Sequence, residues 1–172
     1  MNQTFVLTVI SDDKPGIVEK IADVINQQGG NWLGSNLSYL AGKFAGIVEF
    51  SIQQEQADGL QQQLKALSNR GLTVVIEAVT AADTPVIPSH GFSVVGNDRP
   101  GIIKEISQAF AKQGINVVEL NSKCSSAPHT GIPLFEAWGK VAIPAGTNIE
   151  AFEASLDTLC DQLAIELDFE AL

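Results

Sequence analysis

Apolar residues recur along this chain with two periods, and the two alternate in order. Phe5–Ile10 is a short run rich in β-formers and predicts a strand. Ile17, Ile21, Val24 and Ile25 then fall on one face of a helix, with Pro15 at its first position and Gly29-Gly30 at its end. Asn31–Leu40 reads as extended, Ala41-Gly42-Lys43 as a hairpin turn. Phe44, Gly46, Val48, Phe50 and Ile52 alternate with more polar neighbours, as in a strand with one buried face. Leu60, Leu64 and Leu67 mark a second helix that stops near Gly71, and Leu72–Val79 is a fourth strand. The order β-α-β-β-α-β is that of a ferredoxin-like unit, an α+β fold with an antiparallel sheet and helices on one face.

The same order then repeats. Gly91–Gly96 is a strand, and Ile102, Ile103, Ile106 and Phe110 form a helix stripe. Val117–Cys124 is extended, and Phe135, Ala137, Gly139, Val141 and Ile143 alternate. Asn148 is placed to cap a last helix with the stripe Phe152, Leu156, Leu159, Cys160 and Leu163, and Ile165–Phe169 closes the unit. The copy is one of residues as well as of pattern. Asp13-Lys14-Pro15-Gly16-Ile17-Val18 returns as Asp98-Arg99-Pro100-Gly101-Ile102-Ile103. At the same offset Ile21 meets Ile106, Gln28 meets Gln113, Gly29 meets Gly114, Asn31 meets Asn116 and Asn36 meets Asn121. By Phe44 and Phe135 the offset has grown, which puts an insertion around Ser125–Gly131. Such self-similarity means a duplicated domain: residues 1–80, a linker at 81–89 holding Asp83, Pro85 and Pro88, and residues 90–172.

In this fold the second strand of each unit lies at an edge, and an open edge invites a partner strand. The units are therefore expected to lean on each other or on another copy, as a homo-oligomer. A site near the helix starts, between domains, is the expected place for a ligand.

Charge narrows the partners. The net charge is −10, and the 10 Lys and Arg residues are scattered. Direct nucleic-acid binding needs a cationic stripe to displace counterions, and an anionic membrane surface makes the same demand. Neither partner is expected. No apolar run reaches the ~20 residues of a membrane helix, and the first residues do not read as a secretory signal. The cysteines, Cys124 and Cys160, do not repeat with the domains, so reduced thiols and a cytoplasmic protein are expected.

The repeated Asp-x-Pro-Gly-Ile segment is the chemically suggestive one. Glycine permits close approach, and the free N–H groups of Gly16, Ile17 and Val18, or Gly101, Ile102 and Ile103, point out at the positive end of a helix, where a carboxylate is favoured. Asp13 and Asp98 are expected to cap those groups or to attract an ammonium. Asn31 and Asn116 each carry both a donor and an acceptor. Together these groups match what a free amino acid requires, although Asp-x-Pro-Gly is also simply a good helix start.

A strand, Asp-x-Pro-Gly-Ile, an Ile-rich helix and Gly-x-Asn opening the next strand resemble the ACT domain, in both halves. With Pro128-His129-Thr130-Gly131-Ile132-Pro133-Leu134-Phe135 at the second hairpin, the chain resembles the glycine cleavage system transcriptional repressor family. The resemblance implies a regulator rather than an enzyme. It would repress indirectly, by contacting a DNA-binding activator, with glycine as effector. It maps ligand-holding positions onto Asn97 and Asn116 in the second half, and onto Asp12 and Asn31 in the first. A carboxylate at Asp12 would repel the ligand's own, so the second half is expected to hold the ligand better, and Asn97→Ala to weaken binding more than Asp12→Ala. The expected ligand residues are thus Asp12, Asp13, Gly16, Ile17, Asn31, Asn97, Asp98, Gly101, Ile102 and Asn116.

No cofactor, metal or catalytic residue is expected. Cys124 with His129 lacks a third orienting group, and His90 and His129 are too few for a metal site. Trp32 and Trp138 are expected to pack, Cys160 to sit in the core, and Glu166–Glu170 to form the wet side of a strand. The residue 125–131 loop reads equally as a recognition element or a tolerated insertion. The competing function is a ligand-free docking module.

Overall fold

A computed structural model describes residues 1–80, 86–126 and 131–172. The chain divides into two compact units, Met1–Thr84 and Pro85–Leu172. The first five residues of the expected linker and residues 127–130 of the expected insertion lie outside the described residues. Ser89, the linker's last residue, is already part of the second unit: its N–H donates to Val141 and its carbonyl accepts from Leu172.

Unit 1 contains β1 (Asn2–Asp12), α1 (Ile17–Gln27), β2 (Asn31–Leu40), β3 (Lys43–Gln53), α2 (Ala57–Ala66) and β4 (Leu72–Ala78). Unit 2 contains β5 (His90–Asn97), α3 (Ile102–Lys112), β6 (Asn116–Ser126), β7 (Pro133–Ala142), α4 (Ile149–Leu163) and β8 (Ile165–Ala171). The sheets have the orders β2-β3-β1-β4 and β6-β7-β5-β8, with every neighbouring pair antiparallel. Each unit is the expected βαββαβ fold, and β2 and β6 are edge strands.

Alternation decides which face is inside. Phe5, Leu7 and Val9 of β1 and Val48, Phe50 and Ile52 of β3 are buried and meet Ile17, Ile21 and Ile25 of α1 and Leu60 and Leu64 of α2. Unit 2 repeats this with Phe92, Val94, Ile102, Ile106, Phe110, Phe152 and Leu156. Each such large apolar side chain contributes roughly 1.5–3 kcal/mol when buried. The two helices cover one face of each sheet, and the other face is open. A matching bulge interrupts both edge strands, between Trp32 and Gly34 and between Val117 and Glu119.

Local turns follow their residues. Ala41 and Gly42 both take positive φ (50° and 82°), the pattern of a two-residue hairpin turn whose twist suits the flanking strands. Asn148 caps α4, its side chain accepting from the Ala151 N–H at 3.0 Å. Beyond α2 a 3₁₀ turn, Leu67–Arg70, runs to a left-handed Gly71. Trp32 packs against the first core, and Cys160 is half-buried against the second. Trp138 departs from expectation. It stands on the open face, 43% exposed, because its position on β7 points away from the helices, and Lys123 lies over its ring at 5.7 Å.

Candidate functional site

The two helix starts share one backbone. Pro15 is not the first helical residue as its sequence position predicts: α1 begins at Ile17, because Gly16 ahead of it is left-handed (φ 85°, ψ 11°). Gly101 precedes α3 in the same way (φ 103°, ψ −9°). That conformation disfavours any residue with a Cβ, so the proline-glycine pair forms a turn that aims the chain into the helix. The Gly16 carbonyl accepts from the Lys20 N–H at 3.1 Å, and the Gly101 carbonyl from Glu105 at 3.0 Å. The N–H groups of the first helical turn have no acceptor within the helix, and they carry its positive end.

Neither aspartate caps these groups; among the described residues no side chain caps α1 or α3. The backbone geometry gives the reason. The Asp13 N–H donates to the Gly42 carbonyl (3.1 Å) and the Asp98 N–H to the Pro133 carbonyl (2.8 Å). Each helix-start loop is thereby pinned to the tip of its own β-hairpin. Asp98 faces Cys124 across that contact. Desolvation first, and then the charge and hydrogen bond of Asp98, push the Cys124 thiol above its ordinary pKa. A raised pKa works against a nucleophilic thiolate.

Asp12 and Asn97 hold equivalent places at the ends of β1 and β5. Asp12 lies opposite Lys43 and is ion-paired with it at 2.5 Å. The hydrogen bond and charge of Lys43 hold its carboxyl below the usual aspartate range. The expected repulsion of a ligand carboxylate is therefore offset by a neighbouring cation. Asn97 lies opposite Leu134 and is exposed.

The asparagines that open β2 and β6 stand elsewhere. Asn31 is level with Ser51 and Thr4, at the start of β1, whereas Asp12 is at its end. That separation is roughly 25 Å of strand at 3.3 Å per residue. Asn116 pairs with Ala142, near His90 and far from Asn97. Each unit thus brings Asp12, Asp13, Gly16 and Ile17, or Asn97, Asp98, Gly101 and Ile102, to one end and its Gly-x-Asn asparagine to the other.

A concavity of about 310 Å3 opens at the start of α1, lined by Asp13, Lys14, Gly16, Ile17, Val18, Glu19 and Phe44. Phe44 and Lys43, which complete this end, were not singled out as site residues from sequence. Their signal is the hairpin: a turn at Ala41-Gly42 puts the next two residues against the end of β1. Two larger grooves, about 540 and 420 Å3, run between α1 and α2 and between α3 and α4, and hold none of the expected ligand residues. His90 is committed to packing, stacked on Phe169 at 5.0 Å. Among the described residues no cluster of His, Cys, Asp and Glu could hold a metal, and no helix is long and apolar enough to cross a membrane.

Comparison with known proteins agrees with this architecture. Family models described as ACT domains match residues 3–77 and 91–135. The glycine cleavage system transcriptional repressor of Escherichia coli (strain K12) is 24% identical over 160 residues, spanning 92% of this chain and 84% of the repressor. A protein of the same name from Shigella flexneri matches equally. A crystal structure of an unknown protein from Galdieria sulphuraria superposes with a TM-score of 0.88 and 26% identity, covering 100% of this chain and 99% of that one.

Proposed function

The chain belongs to the ACT-domain family, and on that premise we propose that it is a regulatory protein, not an enzyme, which senses a free amino acid and represses the glycine cleavage system indirectly. Glycine is the expected effector and a DNA-binding activator the expected partner. The observation that carries this reading is the similarity, across both units together, to the E. coli repressor. The net charge of −10 supports a protein partner over DNA.

The helix starts supply the chemistry. Free N–H groups at Ile17 and Val18, or Ile102 and Ile103, receive a carboxylate, and Asp13 or Asp98 attracts an ammonium. Asn31 and Asn116 are too far from the helix start of their own unit to share its ligand. They can contribute only at the helix start of another ACT unit, which fits a protein that works as an oligomer. A ligand that spans ACT units favours one arrangement of them. A partner that prefers that arrangement feels the ligand, and the coupling is reciprocal.

The test is the affinity of the purified chain for the activator, by fluorescence anisotropy, with and without saturating glycine. A coupling of about 1–3 kcal/mol changes that affinity 5- to 150-fold. Equal affinities end the sensing reading. A thermal-shift screen of the free amino acids separates it from a ligand-free docking module. A bound ligand at a hundredfold excess over Kd stabilises by about 2.7 kcal/mol, and a flat screen selects the docking module.

A further inference from the structure

We propose that the free edge of β8 is the docking site for a cationic strand of the DNA-binding partner; this deepens the reading above and rests on it. β8 ends the sheet order β6-β7-β5-β8, so among the described residues only β5 pairs with it. Its side chains divide by alternation. Ile165, Leu167 and Phe169 join the second core, whereas Glu166, Asp168 and Glu170 are exposed on the open face. These acids stand opposite Val95, Ser93 and Gly91. Asp168 accepts from the Ser93 hydroxyl, and among the described residues none of the three is ion-paired. Lys140 and Lys123 of the same face are already paired with Glu119 and Glu136.

The ladder puts these acids where an added strand would feel them most. The Leu172 N–H donates to the Ser89 carbonyl. Bonded and non-bonded pairs alternate along an antiparallel ladder, so Glu170, Asp168 and Glu166 turn their backbone groups toward β5. The N–H and C=O groups of Leu167, Phe169 and Ala171 therefore point outward from the edge, where the sheet has no further strand. A strand added antiparallel bonds to those residues. Its side chains opposite Glu166, Asp168 and Glu170 then occupy non-bonded positions, where cross-strand side chains approach most closely, with Cα atoms about 4.5 Å apart.

Charge selects the occupant. A second copy of β8 is refused. Pairing it antiparallel about Asp168 sets Asp168 against Asp168 and Glu166 against Glu170, and like charges directly opposite are destabilising. A two-residue slip still sets acid against acid, and a one-residue slip turns the core row outward. A strand with Lys or Arg at alternate positions gains opposite-charge pairs instead. A protein that binds DNA is the partner to carry such residues, because it must neutralise phosphates with Lys and Arg. Unit 1 lacks the stripe: β4 has Thr73, Val75 and Glu77 at the equivalent places.

The experiment is fluorescence anisotropy of the full chain with the purified activator, at low and high salt. It compares wild type with a β8 variant (Glu166→Gln, Asp168→Asn and Glu170→Gln together) and with an α4 variant that removes the same charge at exposed positions (Glu153→Gln, Asp157→Asn and Asp161→Asn together). The expected result is an affinity loss of about tenfold for the β8 variant, the product of its lost cross-strand pairs, and a weaker dependence on salt. The α4 variant binds as wild type. Amide hydrogen exchange of the wild-type complex is the second measurement, and no folding defect in a variant can mimic it. The N–H groups of Leu167, Phe169 and Ala171 should exchange more slowly in the complex than in the free chain. A β8 variant that binds as wild type overturns the proposal, as does an equal or larger loss in the α4 variant. Exchange at β8 that saturating activator leaves unchanged overturns it too. An activator that does not bind the wild-type chain ends the partner reading itself and this proposal with it, a result distinct from the others.

Discussion

The two open sheet faces differ more than the two inward faces do, although the two folds are the same. In unit 1, Thr8 sits between Ile47 and Val75, with Ile10 alongside. These three apolar residues are 50%, 53% and 46% exposed. In unit 2, the equivalent Ser93 sits between Trp138 and Asp168, and its hydroxyl donates to Asp168 at 3.3 Å. Around it Lys140 pairs with Glu119 at 3.0 Å and Lys123 with Glu136 at 3.2 Å. The inward faces tell the opposite story. Val9 corresponds to Val94, Ile17 to Ile102 and Ile21 to Ile106, all buried. The lesson is that the fold constrains only the side of the sheet that the helices cover. Duplication left the other side free to diverge: Ile47 and Val75 of unit 1 stand where unit 2 has Trp138 and Asp168, while Ile10 keeps an apolar counterpart in Val95.

The sharpest way to break this comparison is to cut equivalent core residues. Ile21→Ala and Ile106→Ala should each cost about 2–5 kcal/mol, by urea denaturation, because both are buried at matching places under their sheets. If one is tolerated and the other is not, the cores are less alike than their positions imply. Next comes Gly96→Ala, whose Cβ must displace Ile165. The expected loss is about 1–3 kcal/mol, against none for Ser11→Ala at the equivalent place. Smaller still is Val75→Asp, which gives unit 1 the residue that unit 2 carries at Asp168. As a surface change it should stay within about 0.5 kcal/mol in the same measurement, and a larger loss would mean that the open face supports the fold after all.

The smallest effect is electrostatic. Asp12 is held below the ordinary aspartate value by Lys43, so its pairing is intact above the unfolded aspartate pKa of about 3.9 and is lost as pH falls through the lower folded value. Lys43→Met should move the Asp12 titration upward, toward that ordinary value, in an NMR pH titration. Asn97, its counterpart, has no such titration to move.

Much of the fold was legible because period and duplication reinforce each other. Phe5, Leu7 and Val9 alternate, Ile17, Ile21 and Ile25 repeat every helical turn, and the second copy repeats both patterns. Strand ends were legible only to within a few residues, since β1 extends from Asn2 to Asp12 around a predicted Phe5–Ile10. The site was half legible. The motif located both helix starts, but it also suggested aspartate caps that the backbone does not make. The aspartate N–H groups are tied to Gly42 and Pro133, residues distant in sequence.

Sequence by itself determined what depends on neighbours along the chain: the order of elements, the inward rows of each strand and helix, and the acidic balance. Tertiary structure alone decided what depends on register between strands. It set Lys43 against Asp12, placed Asn31 and Asn116 at the far end from their own helix starts, and left the Ser11 hydroxyl buried and unpaired while Ile165 crowds Gly96. Cross-strand pairing joins residues far apart in the chain, as Lys43 with Asp12 and Ile165 with Gly96, and no local pattern states which of them will meet.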